Sequence, residues 1–249
     1  MDDEPQTTEK QSNITISSSP TLPSIRLNDR VGIFGGTGTG KSILAQVMHN
    51  SVPEGWWRLV VDITDSIIMP EALTFYDPDN IPWEDSTDLR FVPNVDSTLE
   101  DQINRLYLGI FYHGACWVWL DEANEVSSAH RTAFGLRKVL LQGRKAFVGH
   151  VACTPRPADI SKSIVTQSQY LITFRLIDFD DRQRMARYIG LTPDEFDEIM
   201  ERLGEHEYLF YDVAMNTLYQ VPAVPPEEVE SILNPPIPDE EEVTEAPEI

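Results

Sequence analysis

The 249-residue chain has only two cysteines, Cys116 and Cys153. Both lie in apolar, strand-like runs, which excludes a disulfide-stapled scaffold and leads us to expect buried thiols in a reducing compartment. No apolar run approaches the roughly 20 residues needed to cross a bilayer, so no transmembrane segment is expected. The opening residues Met1-Asp2-Asp3-Glu4 lack the basic and apolar regions of a secretory signal, and a cytoplasmic protein is expected. Bases are scarce: 19 Lys and Arg face 41 Asp and Glu, for a net charge of −22. That balance argues against a broad nucleic-acid surface. Its distribution is uneven, however. From Pro222 to Ile249 there are nine acids and no base, whereas Val126 to Ala158 contains no acid and carries Arg131, Arg137, Lys138, Arg144, Lys145 and Arg156. A surface confined to that stretch could still meet phosphate or a neighbouring subunit.

What the chain does have is Gly35-Gly36-Thr37-Gly38-Thr39-Gly40-Lys41-Ser42. These residues match G-x-x-x-x-G-K-[ST], the phosphate-binding loop of nucleoside triphosphatases. The flanks fit: Val31 to Phe34 reads as a buried strand and Ile43 to Met48 as an apolar helix. Glycines allow backbone N–H groups to turn inward around phosphate oxygens at a helix N-terminus whose dipole favours negative charge. Lys41 is then placed for the β- and γ-phosphates, and the Ser42 hydroxyl for Mg²⁺.

Ala115-Cys116-Trp117-Val118-Trp119-Leu120-Asp121-Glu122 is the second landmark, an apolar strand ending in two acids. This is the Walker B pattern. It puts Asp121 near the Mg²⁺ site and Glu122 where it can activate a water against the γ-phosphate. The Asp-Glu pair favours hydrolysis over a small-molecule kinase. Phe147 to Thr154 reads as a further buried strand, stopped by Pro155-Arg156-Pro157, with Thr154 as the candidate γ-phosphate sensor at its tip. His150, inside that apolar run, reads as a core residue.

Between a disordered N-terminal arm (1–20) and a disordered, acidic, proline-rich tail (224–249), strand and helix signals alternate through a P-loop ATPase domain at 21–223. Strands are expected near 57–62, 89–92 and 169–176. Helices are expected at 98–112, from Ser127 or Ser128 to about Leu141, at 180–188 and at 193–203. The segment 66–95 reads as an irregular insertion, and a C-terminal hairpin is expected to turn near Met215-Asn216. On the expected third helix, Arg131, Lys138 and Lys145 are seven apart, as are Arg137 and Arg144, spacing that would hold each set near one face.

The order of these parts resembles the FtsK/HerA group of RecA-like ATPases, including the viral genome-packaging branch, over roughly residues 25 to 221. The resemblance rests on Asp62 ending the second strand, the Walker B Asp-Glu, and Gly143-Arg144-Lys145. It rests also on Thr154-Pro155-Arg156-Pro157 and Phe174-Arg175-Leu176. It implies a RecA-like α/β P-loop NTPase fold, with a mainly parallel sheet, helices on both faces and a C-terminal β-hairpin. It also implies hydrolysis of ATP with Mg²⁺ and a homo-oligomeric ring, a hexamer in the family, through which double-stranded DNA passes. An arginine finger would come from the neighbour, Arg144 first and Arg156 second. In a viral setting the protein would work in the host cytoplasm or on the virion, docked to a capsid or membrane partner. Pro155 stands where the family has a sensing Gln, which leaves that job to Thr154. Conjugative or chromosome transfer, and an ATP-dependent assembly switch that moves no DNA, remain as alternatives.

Overall fold

In the computed structural model, residues 15–17, 22–94 and 97–234 are described. They form one ten-stranded sheet with helices on both faces. The strands are β1 (Thr15–Ser17), β2 (Arg30–Phe34), β3 (Trp57–Val61), β4 (Leu73–Phe75), β5 (Asp88–Phe91), β6 (Cys116–Leu120), β7 (Gly149–Thr154), β8 (Tyr170–Phe174), β9 (Tyr208–Asp212) and β10 (Thr217–Val221). Their order is β1-β10-β9-β8-β2-β7-β6-β3-β5-β4. From β8 to β4 every pairing is parallel, and the β9–β10 hairpin adds antiparallel strands at one edge. This is the RecA-like arrangement expected from the sequence, hairpin included.

The central strands read as continuous apolar runs because both of their faces are covered. Along β6, Cys116, Val118 and Leu120 enter one core, while Trp117 and Trp119 enter the other. The two free cysteines sit in different cores on opposite faces, so they cannot pair. The second core takes α1 (Lys41–Asn50) through Leu44 and Ala45. The first takes α2 (Leu99–His113), α3 (Phe134–Gln142), α5 (Phe179–Ile189) and α6 (Pro193–Arg202). Among its residues, Ile103, Leu106, Tyr107 and Ile110 recur at helical spacing along α2. His150 is a core residue: it is 1% exposed, lies 3.0 Å from the Tyr107 hydroxyl, and burial lowers its pKa to about 3.

Several expectations need correction. The third helix starts at Phe134, not at Ser127. Ser127 and Thr132 pair across a small turn, their hydroxyls 3.1 Å apart, and Ser128 bridges to Ile160. Such side-chain bonding competes with helix formation. As a result, of Arg131, Lys138 and Lys145 only Lys138 lies in α3, and the sevenfold spacing defines no helical face. The insertion contributes β4 as well as β5, and a short helix α4 (Lys162–Gln167) follows β7. The tail expected to be disordered from 224 contains α7 (Pro226–Leu233), whose Ile232 is buried. Likewise Thr15–Ser17, within the expected arm, pairs with β10. The rest of both expected disordered segments, 1–14, 18–20 and 235–249, lies outside the described residues. Among the described residues no helix is long and apolar enough to cross a membrane.

Candidate functional site

β2 ends at Phe34 and the chain turns through Gly35–Gly40 into α1. Gly40 caps the helix with φ 106°, a left-handed conformation that glycine tolerates best. A Cβ at Gly35 would stand 2.6 Å from the Phe174 Cβ, so the loop lies against the tip of β8. The Gly36 carbonyl accepts from both Thr39 Oγ1 (2.8 Å) and Lys41 Nζ (2.9 Å), folding the lysine back across the loop. Lys41 is only 7% exposed, whereas Thr37, Gly38 and Ser42 are open to solvent. The first turn of α1 has no side-chain cap and no acid. Its free N–H donors and the Lys41 ammonium therefore face the same concavity, a cradle suited to an anion.

Asp121 and Glu122 lie just past the tip of β6, two strands from β2 in the sheet, with β7 between. The Asp121 N–H donates to the Val61 carbonyl, and its side chain is buried at 5% exposure. Burial first, then the neighbouring Glu122 and Asp62 charges, push its pKa up to about 6, against an opposing pull from Lys41. Burial likewise raises the Glu122 pKa, with Lys41 again opposing. Glu122 holds a left-handed backbone (φ 48°), which turns the chain sharply after the strand. The structure thus brings together Lys41, Asp121 and Glu122, as the motifs predict. Asp62 is fully buried and accepts from the Ser66 and Ile67 amides and from the Arg90 guanidinium, so it anchors the loop after β3.

Thr154 closes the remaining side. Its carbonyl accepts from the Gly35 N–H (3.4 Å), its hydroxyl donates to Asn124 Oδ1 (3.1 Å) and also accepts from the Arg156 N–H (3.3 Å). Asn124 was not foreseen from the sequence, although its place two residues after the Asp-Glu pair was a usable signal. Nor was His206, whose Nδ1 lies 3.1 Å from the Thr39 carbonyl; 167 residues separate the two, and nothing local announces the contact. Arg156 is held by Asp181 (3.0 Å), Asp159 (3.8 Å) and Asp178 (3.9 Å). Arg144 is half exposed, 3.8 Å from Asp29, in a 3₁₀ turn that precedes β7. Since Arg30 pairs with His150 and Phe34 with Thr154, Arg144 sits at the opposite sheet end from the phosphate loop. At ~3.3 Å per residue that is more than about 15 Å away. Of the other bases in the acid-free stretch, Arg131 pairs with Glu100 and Lys138 covers the Phe111 and Tyr112 rings.

The residues present fit a nucleotide with a divalent cation. A buried carboxylate strained by neighbouring negative charge gains from a cation, and the α1 tip offers donors to phosphate. Among the described residues no cluster of three or more His, Cys, Asp or Glu could hold a metal unaided. Mg²⁺ is commonly held by one or two protein oxygens plus substrate phosphates, and Ser42 and Asp121 are the residues here that would serve.

No family model matches the chain, and no curated protein matches it in sequence. Solved structures do match in fold. The genome packaging NTPase B204 from Sulfolobus turreted icosahedral virus 2, in complex with sulfate, superposes with a TM-score of 0.64 at 17% identity, covering 81% of this chain and 99% of that one. VirB4 of Thermoanaerobacter pseudethanolicus gives 0.56 at 9% identity over 82% and 94% of the two chains. The pCW3 conjugation coupling protein TcpA, in its monomer form with ATPγS, gives 0.54 at 14% identity over 88% and 67%. At these identities the likeness establishes a shared fold.

Proposed function

We propose that this chain is a Mg²⁺-dependent ATPase that uses hydrolysis to move double-stranded DNA, working as a ring of identical subunits, with viral genome packaging as its task. The observation that carries the hydrolytic part is the convergence of the uncapped, lysine-bearing tip of α1 with Asp121 and Glu122. Lys41 and the α1 amides hold the phosphates; Ser42 and Asp121 hold the cation, which when bound neutralises phosphate charge. Glu122, its proton affinity raised by burial, accepts the proton of the attacking water. Thr154 sits at the strand tip between the phosphate loop and Asn124, placed to report the γ-phosphate.

DNA movement draws support from the fold shared with the packaging NTPase over nearly its whole length. Arg144 lies at the opposite sheet end from the phosphate loop of its own chain, which suits a finger delivered to a neighbour, whereas Arg156 follows Thr154 at the loop's own end of the sheet. Arg144 is the better candidate, because one carboxylate at 3.8 Å holds it more loosely than the three around Arg156. A second reading, DNA transfer in conjugation, is favoured by the similarity to the conjugation coupling protein TcpA.

The test is phosphate release by purified protein, with and without long double-stranded DNA, at low and moderate salt. Stimulation by DNA that falls with salt and disappears in Lys41→Ala and Glu122→Gln supports the motor. Turnover indifferent to DNA would leave an ATPase acting as an assembly switch, and absence of turnover would overturn the enzyme assignment.

A further inference from the structure

Beside the phosphate loop lies a cavity of about 380 Å³ whose walls differ sharply in chemistry. One end is the Gly38–Ser42 segment, with its backbone donors. The other is apolar: Ile43, the Phe174 ring, and from the C-terminal segment Val224, Val229 and Leu233. Val229 and Leu233 are four apart, so they share one face of α7. Ile232, on a different side of that helix, is buried and lines the separate hollow with Gln46 and Asn50 of α1. The helix is therefore seated on α1 by Ile232 while it turns Val229 and Leu233 toward the space next to the α1 tip. Leu233 remains 53% exposed there, an apolar side chain left without full cover.

We infer that this cavity is the nucleobase subsite and that α7 forms its outer wall; the inference rests on the nucleotide-site reading above and deepens it. A volume in the ~300–1,000 Å³ range of small-molecule sites, with backbone anion donors and apolar side chains lining the same cavity, matches a nucleoside triphosphate. It matches neither a free phosphate nor a purely apolar ligand. Among the described residues the lining has one polar side chain outside the phosphate loop, His206, and its Nδ1 already faces the Thr39 carbonyl at 3.1 Å. Sites that read a base by buried hydrogen bonds discriminate by orders of magnitude, whereas apolar contact discriminates weakly. The base is thus held by contact area, and adenine and guanine are accepted alike.

The experiment is calorimetric titration of the full chain with ATP, GTP and inorganic tripolyphosphate, repeated on Leu233→Glu, Leu233→Trp and Lys41→Ala. The wild type should bind both nucleotides at least tenfold more tightly than tripolyphosphate, with ATP and GTP within about threefold of each other. Leu233→Glu should weaken ATP about tenfold or more and leave tripolyphosphate unchanged; Leu233→Trp, which keeps an apolar wall, should retain ATP. Lys41→Ala should weaken all three. Nucleotides binding no tighter than tripolyphosphate, or Leu233→Glu weakening both equally or neither, would overturn the subsite and leave the phosphate loop standing. ATP preferred more than tenfold over GTP would overturn base tolerance. If wild type binds none of the three, the nucleotide reading itself falls.

Discussion

Helices α1 and α6 begin with the same physical problem and solve it in opposite ways. Each must satisfy first-turn N–H groups that have no intrahelical partner. At α6, Thr192 accepts from the Glu195 N–H, and the Glu195 carboxylate accepts from the Thr192 N–H at 2.8 Å, a closed capping box with Pro193 at the first helical position. At α1 the cap is Gly40, which has no side chain to offer, and the first turn carries Lys41 where α6 carries acids. Helix α6 is complete by itself. Helix α1 leaves its first-turn donors open to an external anion. Helices α2, α3 and α7 also lack a side-chain cap, whereas α4 is capped through Ser161 and α5 through Asp178; what sets α1 apart is that its uncapped tip follows a glycine loop and carries a lysine in the first turn.

The comparison breaks most completely if α1 loses its lysine without consequence. Lys41→Ala should reduce phosphate release by about 100-fold or more, because a charge aimed at the transferring group is lost. Glu122→Gln should cost about 10²–10⁴-fold while nucleotide binding persists. Steady-state phosphate release and nucleotide titration separate the two variants. Retained turnover in both would mean the α1 tip is no active site.

Next in size is Asp121→Asn. The folded protein holds the Asp121 pKa at about 6 against an ordinary 3.8, so between those values the native state keeps a proton that the unfolded chain has released. Stability should therefore fall as pH rises through that window, and above it the ionised carboxylate is a net burden. Removing the charge should raise stability at pH 7.5 by up to about 3 kcal/mol in the absence of ligand, a gain that vanishes below pH 4. The same variant should lose metal-dependent turnover. Denaturant unfolding at pH 7.5 and pH 3.5 checks the sign. No gain at the higher pH would mean that Asp121 is not under electrostatic load.

A smaller effect comes from converting α1 to the α6 pattern. Ile43 occupies the third helical position after Gly40, as Glu195 does after Thr192. Ile43→Glu should make the free protein more stable by ~0.3–1 kcal/mol through the helix dipole. It should also weaken inorganic tripolyphosphate binding about tenfold, since the new carboxylate competes for the same donors. Unchanged tripolyphosphate affinity would place the phosphates elsewhere.

The two helix tips also show what the sequence can and cannot reveal. Gly35 to Ser42 and Thr192 to Glu195 are local: each function sits within one turn, and spacing alone announces it. The parallel sheet was legible for a similar reason, since β6 and β7 are apolar on both faces. Contacts made by folding were not. His206 reaches Thr39 across 167 residues, and Asn124 meets Thr154 only because β6 and β7 are neighbours in the sheet. Helix α7 was hidden by composition: acids and prolines around it resemble a solvated tail, and Val229, Ile232 and Leu233 gain meaning only beside α1. The acid-free stretch misled in the other direction, because Ser127, Ser128 and Thr132 spend their hydrogen bonds on a turn that delays α3 until Phe134.

The smallest effect belongs to the capped helix and serves as the reference for the others. Thr192→Ala removes an acceptor from the α6 tip and leaves the Glu195 N–H without its side-chain partner, at a cost of about 1 kcal/mol. Because Thr192 and Glu195 act as one unit, Glu195→Ala on top of Thr192→Ala should cost less than the two single losses combined, by ~0.5 kcal/mol or more. Phosphate release and tripolyphosphate affinity should not change in either variant, since the box is closed upon itself. Denaturant midpoints for the four members of the cycle, measured beside turnover, decide the matter. A strictly additive cycle would show that the box is not cooperative. A loss of turnover would show that the α6 tip, too, had a task outside its own helix.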